Sequence, residues 1–179
     1  MFTLRRTAAT ALITATAVAG TALITAPTAS AASYKCKTST KSVDDPSYSG
    51  PWADNWDFTV SICAMRSGGT VYSYAKIKWD GPVGMSVDDA GIFNAAYFRL
   101  WEAKSVSGTD PVVKSGNYYG IESRLENSTS NGNYNNSYTT PTISYKTGTK
   151  TYGDGRLMLE WADDGKGYQT HNFTASPVV

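Results

Sequence analysis

The chain is poor in the residues from which active sites are usually assembled. Among its 179 residues it has a single histidine, His171, and only two cysteines, Cys36 and Cys63. No G-x-S-x-G elbow or other nucleophile signature occurs. A Ser-His-Asp site needs only one base, but His171 sits in a plain strand pattern and reads as a structural or surface residue. The pairs Asp88-Asp89 and Asp163-Asp164 do not continue with the alternating acidic ligands and final Glu of an EF-hand loop; turn chemistry accounts for both, and no metal or cofactor is expected. Charge of one sign is also lacking. Beyond residue 31 there are 14 basic and 15 acidic residues, which argues against nucleic acid or an anionic membrane as an electrostatic partner. No stretch after that point is apolar enough to span a bilayer.

Residues 1–31 carry a different pattern. Arg5 and Arg6 form a basic start, residues 7–24 are an uncharged run of Ala, Thr, Leu, Ile and Val, and Ala29-Ser30-Ala31 has the A-x-A form of a cleavage site. This predicts a secretory signal peptide cut after Ala31, leaving residues 32–179 as one domain. Export brings an oxidising compartment, so Cys36 and Cys63 are expected to be bonded to each other.

The clearest stretch of the exported chain runs from Trp56 to Trp79. Trp56, Phe58, Val60, Ile62 and Ala64 alternate with polar or small residues, as do Val71, Ser73, Ala75, Ile77 and Trp79 beyond Gly68-Gly69. Two glycines suit a tight hairpin turn, whose central residues take positive φ. In that register Phe58 faces Trp79, Val60 faces Ile77, Ile62 faces Ala75, Thr59 faces Lys78 and Cys63 faces Tyr74. Cys63 falls on the outward side, so the disulfide should pin the N-terminal strand, residues 34–40, there or at a neighbouring edge.

Further along, residues 44–51 and 80–91 read as loops, with one helical turn at residues 86–90, and Trp52 could cap the core. Strand patterning returns at residues 95–104, with Ala96, Phe98 and Leu100 on one face and Tyr97, Arg99 and Trp101 on the other. Residues 112–114 and 121–125 are shorter candidates, and residues 127–138 read as a polar connection of Asn, Ser, Gly and Tyr. Strands follow at 142–146 and 156–162, Leu157, Leu159 and Trp161 pointing inward, and a hairpin loop at residues 163–167 leads into a last strand. A two-residue and a three-residue turn would place His171 on opposite faces. With five Trp, twelve Tyr and little Leu, these elements predict an all-β fold: an antiparallel β-sandwich of about seven to nine short strands with one disulfide.

Two kinds of residue remain as functional candidates. Paired carboxylates would serve a glycosidase, but Glu102, Glu122, Glu126 and Glu160 show no pair spacing and read as outward strand residues. Exposed aromatics suit a protein hot spot or sugar stacking; the candidates are Tyr34, Tyr72, Tyr74, Tyr97 and Trp101. Three segments, at Asn127, Asn135 and Asn172, match the N-glycosylation pattern.

The run Trp56 to Thr70, then Tyr74-Ala75-Lys76-Ile77-Lys78-Trp79, and the ending Trp161-Ala162-Asp163-Asp164-Gly165-Lys166-Gly167-Tyr168 with a late Ser176-Pro177 resemble small secreted single-disulfide β-domains of filamentous soil bacteria. Some of these look like adaptor subunits of umbrella toxin particles. The resemblance implies a secreted, non-enzymatic adaptor of an extracellular antibacterial toxin particle, with lectin-like and large core subunits as its partners. It assigns no site residue. The alternatives are a carbohydrate-binding domain or small glycoside hydrolase, and a secreted protease inhibitor.

Overall fold

The computed structural model describes residues 32–46, 48–51, 54–82, 91–128, 135–162 and 164–179. The expected signal peptide, Trp52, the turn at residues 86–90 and Asp163 lie outside the described residues. Nine strands follow in chain order: β1 (Lys35–Val43), β2 (Trp56–Ser67), β3 (Thr70–Asp80), β4 (Phe93–Lys104), β5 (Val112–Tyr118), β6 (Asn135–Thr139), β7 (Ile143–Lys146), β8 (Thr151–Trp161) and β9 (Gln169–Asn172). They form two antiparallel sheets, one ordered β1-β2-β3-β6 with β7 also on β3, the other β5-β4-β8-β9. The sheets pack face to face as a β-sandwich.

The β2–β3 hairpin has the register that its alternation predicts. Phe58 pairs with Trp79, Val60 with Ile77, Ile62 with Ala75, Thr59 with Lys78 and Cys63 with Tyr74. Gly68 and Gly69 take φ of 55° and 78°, the left-handed values that a side chain resists. From the first sheet Trp56, Phe58, Val60, Ile62, Ala75, Ile77 and Trp79 enter the core; from the second come Ala96, Phe98, Leu100, Leu157, Leu159 and Trp161. A Cβ on Gly155 would lie 2.6 Å from the Phe98 ring, so that ring packs directly on the β8 backbone.

Cys36 and Cys63 are bonded. They face each other across the β1–β2 ladder, and β1 is the edge of its sheet. Cys63 lies on the outward side as expected, but it is buried. A disulfide is compatible with an extracellular protein, and no helix of the described residues is long and apolar enough to cross a membrane.

Four expectations need correction. Residues 121–125 are not a strand: a 3₁₀ turn at Tyr119–Ile121 runs into a short α-helix, Glu122–Leu125. Ile121 and Leu125 are both fully buried, and their spacing of four fits one face of a helix as well as one face of a strand. The tract at residues 127–138 is more than a connection, since β6 begins within it and pairs with β3. Tyr138 packs on the core from there, and a backbone ladder needs no apolar composition. Glu102 is not outward. It is fully buried, and Glu126 is buried too. Finally, the β8–β9 loop is longer than either turn considered. Leu159 pairs with Gln169 and Leu157 with His171, so His171 has the parity of an odd-length loop and is buried on the inner side.

Candidate functional site

The five aromatic candidates do not converge. Tyr72 and Tyr74 stand half-buried on the outer face of the β1-β2-β3 sheet. The Tyr34 ring lies edge-on to Tyr74, 4.8 Å between centroids, so part of that surface is covered by the chain itself. A shallow depression of about 380 Å³ on this sheet is lined by Thr40, Lys41, Ser42, Asp57, Phe58 and Thr59. It presents polar and charged side chains, and its one ring, Phe58, is fully buried.

Tyr97 and Trp101 belong to the opposite face of the molecule. Strand alternation on β4 points Ala96, Phe98 and Leu100 into the core, so Tyr97, Arg99 and Trp101 line the outer side. Cross-strand pairing then supplies neighbours that local sequence cannot show. Trp101 is flanked by Ser115 on β5 and Asp154 on β8, and Arg99 by Asn117 and Arg156. The row continues to Asn172 on β9. Asn117, Arg99, Arg156 and Asn172 thus form one line of donor-bearing side chains across all four strands.

The Arg156 guanidinium lies over the Trp101 ring at 5.7 Å, within cation–π range. A groove of about 170 Å³ opens between Arg99, Trp101, Val112 and Arg156, and Val112 is about half exposed (53%). At one end of the face Tyr97 meets Tyr119 at 5.0 Å and Tyr168 edge-on at 5.1 Å. At the other end the Tyr152 hydroxyl donates to Asp110, which, with burial as the larger cause, pushes the phenol up to about 12. Burial also raises the Asp154 carboxyl, while the Gly155 amide and Arg156 pull it down. Tyr97 and Trp101 were identifiable from alternation alone. Arg156, Tyr119 and Tyr168 were not, because only tertiary pairing brings them there.

The carboxylates are dispersed. Glu102 is enclosed between the sheets, where Ser73 Oγ donates to its Oε1 at 2.9 Å and its Oε2 has no hydrogen-bond partner. Burial pushes its pKa up to about 7, against smaller lowering effects of Ser73 and Lys114. It fits there because its cross-strand partner is Gly153, whose Cβ would come within 3.0 Å of Ser73. Glu122 accepts the Ala96 amide at 2.8 Å. Among the described residues no group of three or more His, Cys, Asp or Glu could hold a metal ion. The outer face of the four-stranded sheet is therefore the best-formed candidate site. No protein-family model matches the chain, and no curated protein matches it.

Proposed function

We propose that this protein is a secreted, non-enzymatic protein-binding module that docks its partner on the outer face of the β5-β4-β8-β9 sheet. The observation that carries the reading is the composition of that face. Trp, Tyr and Arg are the residue types that dominate binding energy at protein interfaces; here Trp101, Arg99, Arg156 and Tyr97 stand on strands, Arg156 packs on Trp101, and Tyr119 and Tyr168 pack on Tyr97. The adaptor role in an extracellular toxin particle, suggested by the sequence resemblance, is the specific form of this proposal. In that form the partners are other secreted subunits. The edge strand β1, which pairs only with β2, offers a second attachment by strand addition.

Carbohydrate binding is the rival reading, since open aromatic faces on a sandwich suit sugar stacking. Here one face of Trp101 carries a guanidinium and the tyrosines pack edge-on or tilted, which favours a protein partner. The test is to purify the native secreted complex and measure rebinding of variants. Trp101→Ala and Tyr97→Ala should weaken it at least tenfold, the range of a hot-spot residue, while Glu102→Gln and Glu160→Gln leave it unchanged. Polysaccharide binding lost in Trp101→Ala, with no protein partner retained, would replace the proposal with the carbohydrate reading.

A further inference from the structure

Two arginines directly opposite each other on adjacent strands are an unfavourable arrangement. Like charges at such positions destabilise a sheet, and here Arg99 and Arg156 are cross-strand partners on the same outer face. No carboxylate lies opposite either arginine in the ladder, the charge of Asp154 reaches Arg156 from the adjacent row, and the Arg156 Nε is shielded from solvent without a hydrogen-bond partner. The flanking Asn117 and Asn172 add amide groups and no negative charge. Asp154, on the adjacent row, accepts the Gly155 amide at 2.7 Å. The pair is thus preformed, oriented by Trp101 and open to the groove of about 170 Å³.

We infer that the Arg99–Arg156 pair is a carboxylate subsite, which receives an Asp or Glu side chain from an acidic segment of the docking protein. This rests on the reading of the face as a protein interface and deepens it to a ligand chemistry. A guanidinium offers paired N–H donors that match the two oxygens of a carboxylate. A single carboxylate between them attracts both and offsets their mutual repulsion. Trp101 fixes the Arg156 end of the site, so little side-chain freedom is lost on binding. An acidic polysaccharide could supply the same charge, but the edge-on tyrosines beside the pair leave no flat platform for a run of sugar rings.

The test uses the whole secreted protein and an oligoglutamate peptide, followed by calorimetry, with oligolysine and polygalacturonate as comparison probes. Oligoglutamate should bind, oligolysine should not, and Arg99→Gln or Arg156→Gln should each weaken binding about tenfold or more, a charge-assisted hydrogen bond being lost. Rising salt should weaken it as well. Circular dichroism of each variant verifies that the fold is retained. Absence of oligoglutamate binding, unchanged binding in the double variant, or binding of polygalacturonate that oligoglutamate cannot displace would overturn the subsite. Rebinding of the native partner separates this from the wider proposal. If Trp101→Ala fails to rebind while both arginine variants rebind normally, the interface stands and the carboxylate subsite falls. If all three rebind normally, both fall.

Discussion

The two sheets of this sandwich have about the same size and handle polar groups in opposite ways. The inner side of the five-stranded sheet presents Phe58, Val60, Ile62, Ala75, Ile77 and Trp79, all buried and apolar, with Ser73 buried among them. Its outer side is partly covered by its own chain, with Cys63 under a disulfide and Tyr74 against Tyr34. The four-stranded sheet buries Glu102 and His171 on its inner side, each with one nitrogen or oxygen lacking a partner. On its outer side it sets two arginines side by side. Unsatisfied polar groups cost stability wherever they are placed. Their concentration in one sheet sets a half with an apolar interior apart from a half that holds its polar groups at a cost.

The largest effects should come from the apolar interior that the sheets share. Phe58 is fully buried, with Trp56 and Trp79 as ring neighbours, and Phe98 lies opposite, packed on Gly155. Phe58→Ala and Phe98→Ala should each cost about 3–5 kcal/mol in urea unfolding, and Thr59→Ala, outward from the same strand, well under about 1 kcal/mol. A much smaller loss at Phe98 would break the comparison, because the four-stranded sheet would then be loosely packed throughout and not merely polar at chosen points.

The next effect tests two buried titratable groups, Glu102 and His171, whose signs oppose. The folded pKa of Glu102, about 7, lies above its ordinary 4.5, so the native protein holds that proton longer than the unfolded chain. Its contribution is complete below pH 4.5 and is lost as pH rises through about 7. His171 runs the other way. Burial, helped by Lys41, lowers it from 6.5 to about 4, so its contribution is complete above pH 6.5 and is lost as pH falls through about 4. Each is worth about 3 kcal/mol at most, and between pH 4.5 and 6.5 they nearly cancel. Relative to wild type, Glu102→Gln should gain stability as pH rises through this interval and His171→Leu as it falls. Denaturation midpoints across the interval measure both slopes; parallel curves for all three proteins would mean that neither group is held in its neutral form.

Much of this division was legible in the sequence, and the reasons for the failures are specific. A two-residue Gly-Gly turn and a strict alternation leave only one register for β2 and β3, so every pair from Phe58 to Cys63 was determined. The same alternation that turns Ala96, Phe98 and Leu100 inward also turns Glu102 inward. Expecting its charge to override the pattern was the error. Overriding would have required a bulge before Glu102, whereas the register shift comes after it, between Glu102 and Ala103. The aromatic half of the candidate site followed from parity on β4. Its arginine half did not, because Arg156 reaches Arg99 through the pairing of β4 with β8, a long-range match that no turn announces. β6 was hidden for a related reason, as an edge strand can be held by its backbone ladder while its composition reads as a loop.

The smallest predicted effect separates the two outer faces most sharply. If the arginine pair is kept for binding and not for folding, removing one charge should stabilise the free protein slightly, by a few tenths of a kcal/mol, since like charges directly opposite on a sheet are unfavourable. Arg99→Gln is the cleaner variant, because Arg156 also packs on Trp101 and its loss would sacrifice that contact. The gain should be largest at low ionic strength and fade in salt, which screens charges at the surface. On the other face Lys78 sits opposite Thr59 and Lys76 opposite Ser61, with no cation paired against a cation, so Lys76→Gln should show no such salt-dependent gain. Paired urea titrations at low and high salt decide it. A stability loss in Arg99→Gln at low salt would mean that the guanidinium supports the sheet, and the outer face of β4 and β8 would then serve the fold.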